Sequence, residues 1–143
     1  MAVGQELPWT KMINPELVDM KDGSLSLKQT PGDMHLNQNG DMNAGVLFTM
    51  SEMSGMGVVV MLLGELAGSS FIASKSVNID FLARAKGEIV FTGTMPDEQQ
   101  KRTLQNAREG NKIEEIVQVE AVDSEGKVVS KSTVTAVVSP KRS

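Results

Sequence analysis

The fold is decided by residues 43–67, which read NAGVLFTMSEMSGMGVVVMLLGELA. Asn43 can begin a helix, because its side chain can accept a hydrogen bond from a backbone N–H of the first turn. Apolar residues then occur on every side of the helix, and only Glu52 and Glu65 carry charge. A helix that is apolar all round must be buried on most sides. The sequence therefore predicts a long core helix over 44–67, with Gly68 ending it.

Glycines inside this predicted helix suggest close contact with a neighbouring element. Each internal glycine costs about 1 kcal/mol of helix stability relative to alanine. Such a cost is explained if another backbone or side chain packs directly against the helix. The glycines concerned are Gly45, Gly55, Gly57 and Gly64.

The remaining residues predict an antiparallel sheet. An Asp-Gly turn at 22–23 joins two short strands, and Leu25 and Leu27 alternate with polar residues as in a half-buried strand. Strands are predicted at 17–21, 24–29, 71–85, 88–95, 113–122 and 127–138, with a polar surface helix between 96 and 110. Residues 1–15 are expected to be a lead-in anchored by Trp9 and Met12, and 139–143 a frayed tail. We expect one α+β domain over residues 1–143, with the sheet wrapped around one long central helix.

Composition excludes several classes of site. The chain has no cysteine and a single histidine, His35, which rules out a Cys–His pair and argues against a metal cluster. A net charge of −4 without a basic block argues against nucleic acid. The first residues, MAVGQELPWTKM, lack the basic and apolar regions of a secretory signal. The longest charge-free apolar run, 53–64, is shorter than the roughly 20 residues that cross a bilayer. We therefore expect a cytoplasmic protein that binds no membrane.

Glu52 is the candidate reactive group. It lies inside the predicted helix, and its neighbours on the same face include Phe48 and Met56. A carboxylate partly removed from water is rarely kept without a function, and it can act as a base or a nucleophile. The alternative is that Glu52 faces a wet groove or pairs with a group across an interface.

The loop before the helix supplies a second candidate feature. Asn37, Gly40, Asn43 and Gly45 lie close to the helix start. Free backbone N–H groups and the positive end of the helix dipole can stabilise a developing oxyanion there. The alternative is an ordinary loop that caps the helix.

These two features together resemble a known family. Residues 37–45 read NQNGDMNAG and are followed by VLFTMSE, which ends at Glu52. This stretch resembles the hotdog-fold thioesterases, and more narrowly the phenylacetate-pathway type. Their motif is N-x-x-G-x-x-H-G-G, with an acidic residue eight positions after the first of the paired glycines, a spacing that Ala44 and Glu52 keep. Residues 77–87, VNIDFLARAKG, resemble a strand and corner of the same family, so the resemblance covers about 17–138.

The resemblance implies a hotdog fold, assembled as a homodimer or a dimer of dimers. It implies a fatty or aromatic acyl-CoA substrate bound between subunits, with coenzyme A as part of the substrate and no other cofactor. Glu52 matches the catalytic carboxylate, and Asn37 matches the asparagine that helps place the nucleophile and the thioester. Asn43, at the position of the motif histidine, is the third candidate catalytic residue. The Gly45 N–H region matches the oxyanion site of the facing subunit. The residues expected to contact substrate are Gly40, Ala44, Gly45, Phe48, Ser74, Lys75 and Arg84, with Lys86 a further candidate for CoA phosphates.

The chain departs from the family motif at three positions. Asn43 stands at the motif histidine, Ala44 at the first paired glycine, and Arg84 at the usual proline. An acyl-CoA thioesterase is the leading hypothesis. A non-catalytic acyl or acyl-CoA binding protein is the second, supported by Asn43 and Ala44. A structural homodimer in which Glu52 serves only packing is the third, and a dehydratase is disfavoured because His35 is unsuitably placed.

Overall fold

The computed structural model describes residues 7–141. Its elements in chain order are helix α1 (Pro8–Ile13), strands β1 (Glu16–Lys21) and β2 (Ser24–Gln29), helix α2 (Ala44–Leu63), strands β3 (Ser70–Phe81) and β4 (Ile89–Thr94), helix α3 (Asp97–Arg108), and strands β5 (Ile113–Val122) and β6 (Val128–Pro140). Short 3-10 turns occupy Asp33–His35 and Gly64–Ser69. The predicted α+β class is confirmed.

Every neighbouring pair of strands is antiparallel, in the order β1-β2-β4-β5-β6-β3. Helix α2 packs across the sheet and contacts β2, β3, β4, β5 and β6. The core between them is aliphatic, and Met50, Val58 and Val59 of the helix are fully buried against it. The sheet therefore wraps around one central helix, as predicted from the apolar composition of 44–67.

Two of the four helix glycines are explained by close packing. A Cβ atom at Gly55 would lie 2.7 Å from Cγ2 of Val134, and one at Gly57 would overlap Leu25. Gly64 has a different role, because its φ of +55° ends α2 in a conformation that other residues rarely adopt. The α-helix therefore ends at Leu63 and not near residue 67, and the chain continues as a 3-10 turn to Ser69.

The lead-in is anchored by other residues than predicted. Within one chain Trp9 is 55% exposed and Met12 is 49% exposed, whereas Ile13 is buried at 3%. The buried Gln29 side chain holds this end of α1, because its Nε2 donates to the Ile13 carbonyl at 2.9 Å. Residues 1–6 of the predicted lead-in lie outside the described residues.

The predicted frayed tail is also corrected in part. Ser139 pairs with Phe71 and Pro140 with Ser70, so both residues belong to β6. The N–H of Lys141 donates to the carbonyl of Ser69 at 3.0 Å. Residues 142–143 lie outside the described residues.

One stripe of α2 is left uncovered by the sheet. Phe48, Glu52, Met56 and Val60 recur every four residues and so lie on one face. Phe48 and Val60 are each 41% exposed, and the two residues between them are half-buried. The prediction that the helix is buried on most sides holds for the faces that contact the sheet, but not for this stripe.

The helical segment Ala44–Ser69 is long and apolar enough to cross a membrane by composition, with a mean hydropathy of 1.8. In the structure 56% of that stretch is buried inside the protein. A core helix enclosed by a sheet needs the same apolar composition, so the packing accounts for it.

Candidate active site

Glu52 is joined to the edge strand of the sheet by a short hydrogen bond. The hydroxyl of Ser74 on β3 donates to Oε2 of Glu52 at 2.5 Å. Glu52 is half-buried, and Ser74 stands next to a β-bulge, where the register of β3 against β6 shifts between Ser74 and Ser76. Ser74 lies two residues after Ile72, which packs against the core, so both side chains are on the helix side of β3.

The Glu52–Ser74 pair lines a cavity of about 400 Å³. We call it the carboxylate cavity; its lining is Trp9, Phe48, Thr49, Glu52, Ser74, Lys75, Ser76 and Val77. A second cavity of about 510 Å³ lies at the beginning of α2. We call it the helix-start cavity; its lining is Trp9, Met12, Ile13, Met34, His35, Asn43, Gly45, Val46, Phe48 and Thr49. Trp9, Phe48 and Thr49 line both, so the two cavities are adjacent, and we call them together the groove.

One backbone N–H at the start of α2 has no hydrogen-bond partner among the described residues. The side chain of Asn43 caps the helix by accepting from the Gly45 N–H at 2.7 Å, as predicted for this residue. The N–H groups of Val46 and Leu47 donate to the Asn43 carbonyl. Within residues 7–141 the Ala44 N–H makes no hydrogen bond. The Gly45 donor is thus taken by Asn43, and the donor left without a partner among these residues belongs to Ala44, which lines neither cavity in one chain.

Asn37 and Gly40 shape the loop and line neither cavity in one chain. Oδ1 of Asn37 accepts from the N–H groups of Asn39 and Asp41 at 2.8 and 3.1 Å. Gly40 has a φ of +77°, which a turn at this point requires. The structure does not bring Asn37 next to Glu52 of the same chain, so the predicted joint role of these residues needs a second subunit and stays a prediction.

Two predicted phosphate-binding cations already have acidic partners. Nε of Arg84 donates to the nearly buried Asp41 at 2.7 Å, and its Nη2 donates to the Asn39 carbonyl at 3.2 Å. The hydrogen bond to Asp41, with its negative charge, raises the pKa of Arg84. Lys75 lies on the carboxylate cavity, with its Nζ 2.8 Å from Oε1 of Glu114. Arg84 therefore ties the loop before α2 to the segment after β3, a role that the sequence analysis missed.

His35 is buried and fully hydrogen-bonded. Its Nδ1 accepts from the Gly32 N–H at 3.0 Å, and Nε2 lies 2.6 Å from the Met12 carbonyl. The first bond needs an unprotonated Nδ1 and the second a proton on Nε2, which is the neutral ring. His35 thus fastens the helix-start loop to α1. This contact was not predicted from the sequence. The positions of Trp9 and Thr49 as walls of the groove were not predicted either.

The Ser74–Glu52 hydrogen bond gives a testable prediction. Under the hypothesis, implied by the sequence motif, that the chain hydrolyses thioesters, we expect Ser74→Ala to lower kcat by roughly tenfold, because a hydrogen bond to a charged group contributes about 1.5–3 kcal/mol. Ser76→Ala is the matched control, since Ser76 lines the same cavity without bonding to Glu52. Steady-state thiol release measures both variants. Equal rates for Ser74→Ala and Ser76→Ala would mean that the hydroxyl does not position the carboxylate.

Comparison with known families identifies the chain by its family model. Residues 1–138 match the model described as "Domain of unknown function (DUF4442)". The chain belongs to this family. No curated protein matches the sequence of this DUF4442 member.

Solved structures share the fold of this DUF4442 protein at low sequence identity. PA5026 from Pseudomonas aeruginosa, a protein of unknown function described as a probable thioesterase, is 22% identical, with 97% of this chain and 92% of that chain covered and a TM-score of 0.80. Thioesterase HI1161 from Haemophilus influenzae is 12% identical, with 95% and 85% covered and a TM-score of 0.74. The PaaI protein from the E. coli phenylacetic acid degradation operon is 13% identical, with 99% and 89% covered and a TM-score of 0.71. The hotdog fold implied by the sequence motif is thereby confirmed.

Proposed function

We propose that this protein is an acyl-CoA thioesterase in which Glu52 is the base or nucleophile. The observation that carries the proposal is the position of Glu52, half-buried on the central helix and hydrogen-bonded to Ser74 at a mainly apolar groove. The names of several structural neighbours, which are thioesterases on the same fold, support the reaction class. The match of residues 37–52 to the family motif supports the same residue.

Hydrolysis of a thioester needs few catalytic groups from the protein. In one route Glu52 takes a proton from water, the resulting hydroxide attacks the thioester carbonyl carbon, and the tetrahedral oxyanion collapses by expelling the CoA thiolate, which is then protonated. In the other route the Glu52 carboxylate attacks the same carbon to give an anhydride and the thiolate, and water hydrolyses the anhydride. In both routes an N–H donor stabilises the oxyanion, so the carboxylate, water and an amide donor suffice.

The assembly we propose is a homodimer, or a dimer of dimers. The exposed stripe of α2 contains Phe48, Met56 and Val60, which a second copy could bury. Strand β3 is at the edge of the sheet and leaves backbone groups available for pairing. A two-fold contact through this region would bring the Asn37 loop and the Ala44 N–H of one subunit towards Glu52 of the other.

A thiol-release screen tests the reaction. Purified protein is mixed with short, medium, long and aryl acyl-CoA thioesters, and free CoA is measured with a thiol reagent. We expect stoichiometric release of CoA and free acid from at least one class, with turnover well above that of heat-denatured protein. Absence of release from every class would contradict a hydrolase.

A non-catalytic acyl-CoA binding protein is the second candidate. The observation that favours it is the Gly45 N–H, which the Asn43 side chain occupies in place of a ligand. This candidate predicts saturable binding of acyl-CoA without thiol release. Contacts to the CoA phosphates from Lys75, Lys86 or Arg84 are part of both candidates.

A further inference from the structure

The single tryptophan of the chain stands where the two cavities meet. Trp9 of α1 lines both the carboxylate cavity and the helix-start cavity, together with Phe48 and Thr49. It is 55% exposed, so the sheet and α2 leave much of its surface uncovered. A molecule that reaches from Glu52 into the helix-start cavity must therefore pass Trp9.

Helix α1 is fixed in place at its C-terminal end. The buried His35 ring bonds to the Met12 carbonyl, and buried Gln29 donates to the Ile13 carbonyl. Ile13 itself is packed into the core. These contacts come from two separate segments, the 3-10 turn and β2, and they hold the part of the helix that follows Trp9. Trp9 is consequently a positioned wall of the groove.

The size and lining of the helix-start cavity favour an alkyl chain over a single ring. A cavity of about 150 Å³ is enough to bind benzene, whereas this one measures about 510 Å³. Its lining contains no acidic residue, lysine or arginine, and Met12 and Met34 supply flexible apolar surface. An aryl group held near Glu52 would leave most of this volume unused.

We propose that Trp9 determines acyl specificity, and that the preferred acyl group is an unbranched alkyl chain that passes Trp9 into the helix-start cavity. This inference rests on the proposed function for the placement of the thioester at Glu52. Each methylene that enters the cavity improves binding by about fourfold, which follows from about 0.8 kcal/mol per buried CH₂. Affinity rises with chain length until the cavity is filled. An aryl group gains binding affinity only from contacts in the carboxylate cavity.

Tryptophan fluorescence reads this contact without any turnover. The chain has one tryptophan and no tyrosine, so its emission reports Trp9 alone. The ligands are CoA thioethers carrying butyl, dodecyl or benzyl groups, which contain no bond that a thioesterase cleaves. Binding of each is measured in parallel by isothermal titration calorimetry. We expect the dodecyl thioether to shift the Trp9 emission furthest to shorter wavelength. The butyl and benzyl thioethers, which reach Trp9 only in the carboxylate cavity, should shift it less, and free CoA should leave it unchanged.

The outcomes separate this inference from the proposed reaction. Dodecyl binding with the emission shift, but no thiol release from any thioester, would overturn hydrolysis and support the specificity assignment. Thiol release together with dodecyl binding that leaves Trp9 emission unchanged would overturn the specificity assignment alone. An equal emission shift with the benzyl thioether would overturn the preference for a chain. No binding of any thioether would overturn the specificity assignment, and the thiol-release screen would then decide the reaction separately.

A variant series provides the second readout. We expect Trp9→Ala to raise KM for a long-chain acyl-CoA by about tenfold, because the chain loses apolar contact worth one to two buried methylenes. The KM for butanoyl-CoA should rise by a smaller factor, because a short chain contacts Trp9 only in the carboxylate cavity. Met20→Ala is the matched control, since Met20 is a similarly exposed apolar residue on β1 that lines neither cavity. An unchanged ratio of long-chain to short-chain KM in Trp9→Ala would overturn the assignment.

Discussion

Replacing Glu52 by glutamine is expected to abolish thioester hydrolysis. Glutamine keeps the size of the side chain and an oxygen that can accept the Ser74 hydrogen bond, but it can neither take a proton from water nor attack as a carboxylate. Loss of a general base lowers rates by roughly 10²–10⁴-fold. Thiol release under saturating acyl-CoA measures the loss, and we expect KM to change little, because the acyl and CoA contacts remain.

The matched control for this variant is Glu65→Gln. Glu65 is the other acid of the segment 43–67, but it is exposed in the 3-10 turn after α2 and lines neither cavity. The control should keep wild-type turnover, and both variants should keep the wild-type thermal unfolding midpoint. Wild-type turnover in Glu52→Gln would remove the mechanism. A changed oligomeric state in Glu52→Gln, with ligand binding and turnover unaffected, would instead support a purely structural carboxylate.

The second large effect concerns the contact between the central helix and the sheet. A Cβ atom at Gly93 of β4 would lie 2.8 Å from the carbonyl oxygen of Ser54 and 3.1 Å from its carbonyl carbon. These are backbone atoms of α2, so no side-chain rotation can relieve the overlap. Helix and strand would have to separate, and overpacking of this kind costs about 1–3 kcal/mol. We expect Gly93→Ala to lower the free energy of unfolding by about 2 kcal/mol.

Urea denaturation at equilibrium measures this change, and Gly68→Ala is its control. Gly68 has no atom within 4 Å of an added Cβ and does not have a positive φ. Alanine there should be neutral or slightly stabilising, because glycine loses more conformational freedom on folding. Equal stability of Gly93→Ala and wild type would show that β4 does not approach the helix as closely as the structure has it.

The central helix could be predicted because its physical signal is local. Continuous apolar composition over residues 44–63 needs no knowledge of the partners that bury it, and the alternation in β2 likewise marks a half-buried strand. The residue at which the helix ends could not be predicted from this local composition. Both Gly64 and Gly68 can adopt a positive φ, and of the two only Gly64 does so.

Contacts between distant residues were beyond sequence reasoning. The ion pair of Asp41 and Arg84 joins residues 43 positions apart, and nothing local to either marks the other as its partner. The close approach of Gly93 to Ser54 is of the same kind. The assignment of Trp9 as an anchor was wrong because size suggested burial, whereas the geometry of α1 buries Ile13 instead.

Individual residues of the candidate site could be predicted from the sequence, but the contacts between them could not. Glu52 was identified because a lone acid inside an apolar helix is costly, and Ser74 came only from the family resemblance. Their hydrogen bond joins residues 22 positions apart on different elements, and nothing local to either residue marks the other as its partner. The roles of Asn37 and Gly45 opposite Glu52 remain predictions, since they depend on a second subunit.

The most direct test of the proposed Glu52 mechanism is a crystal structure with a 2-oxoalkyl-CoA, in which a methylene separates the sulfur from a ketone carbonyl, so that there is no thioester bond to cleave. We expect the carbonyl carbon to lie about 3–3.5 Å from the Glu52 carboxylate or from a water bound to it. The carbonyl oxygen should accept a hydrogen bond from the N–H at the start of α2 of the facing subunit. A ligand carbonyl bound elsewhere, with Glu52 in bulk solvent, would contradict the role of Glu52 as base or nucleophile.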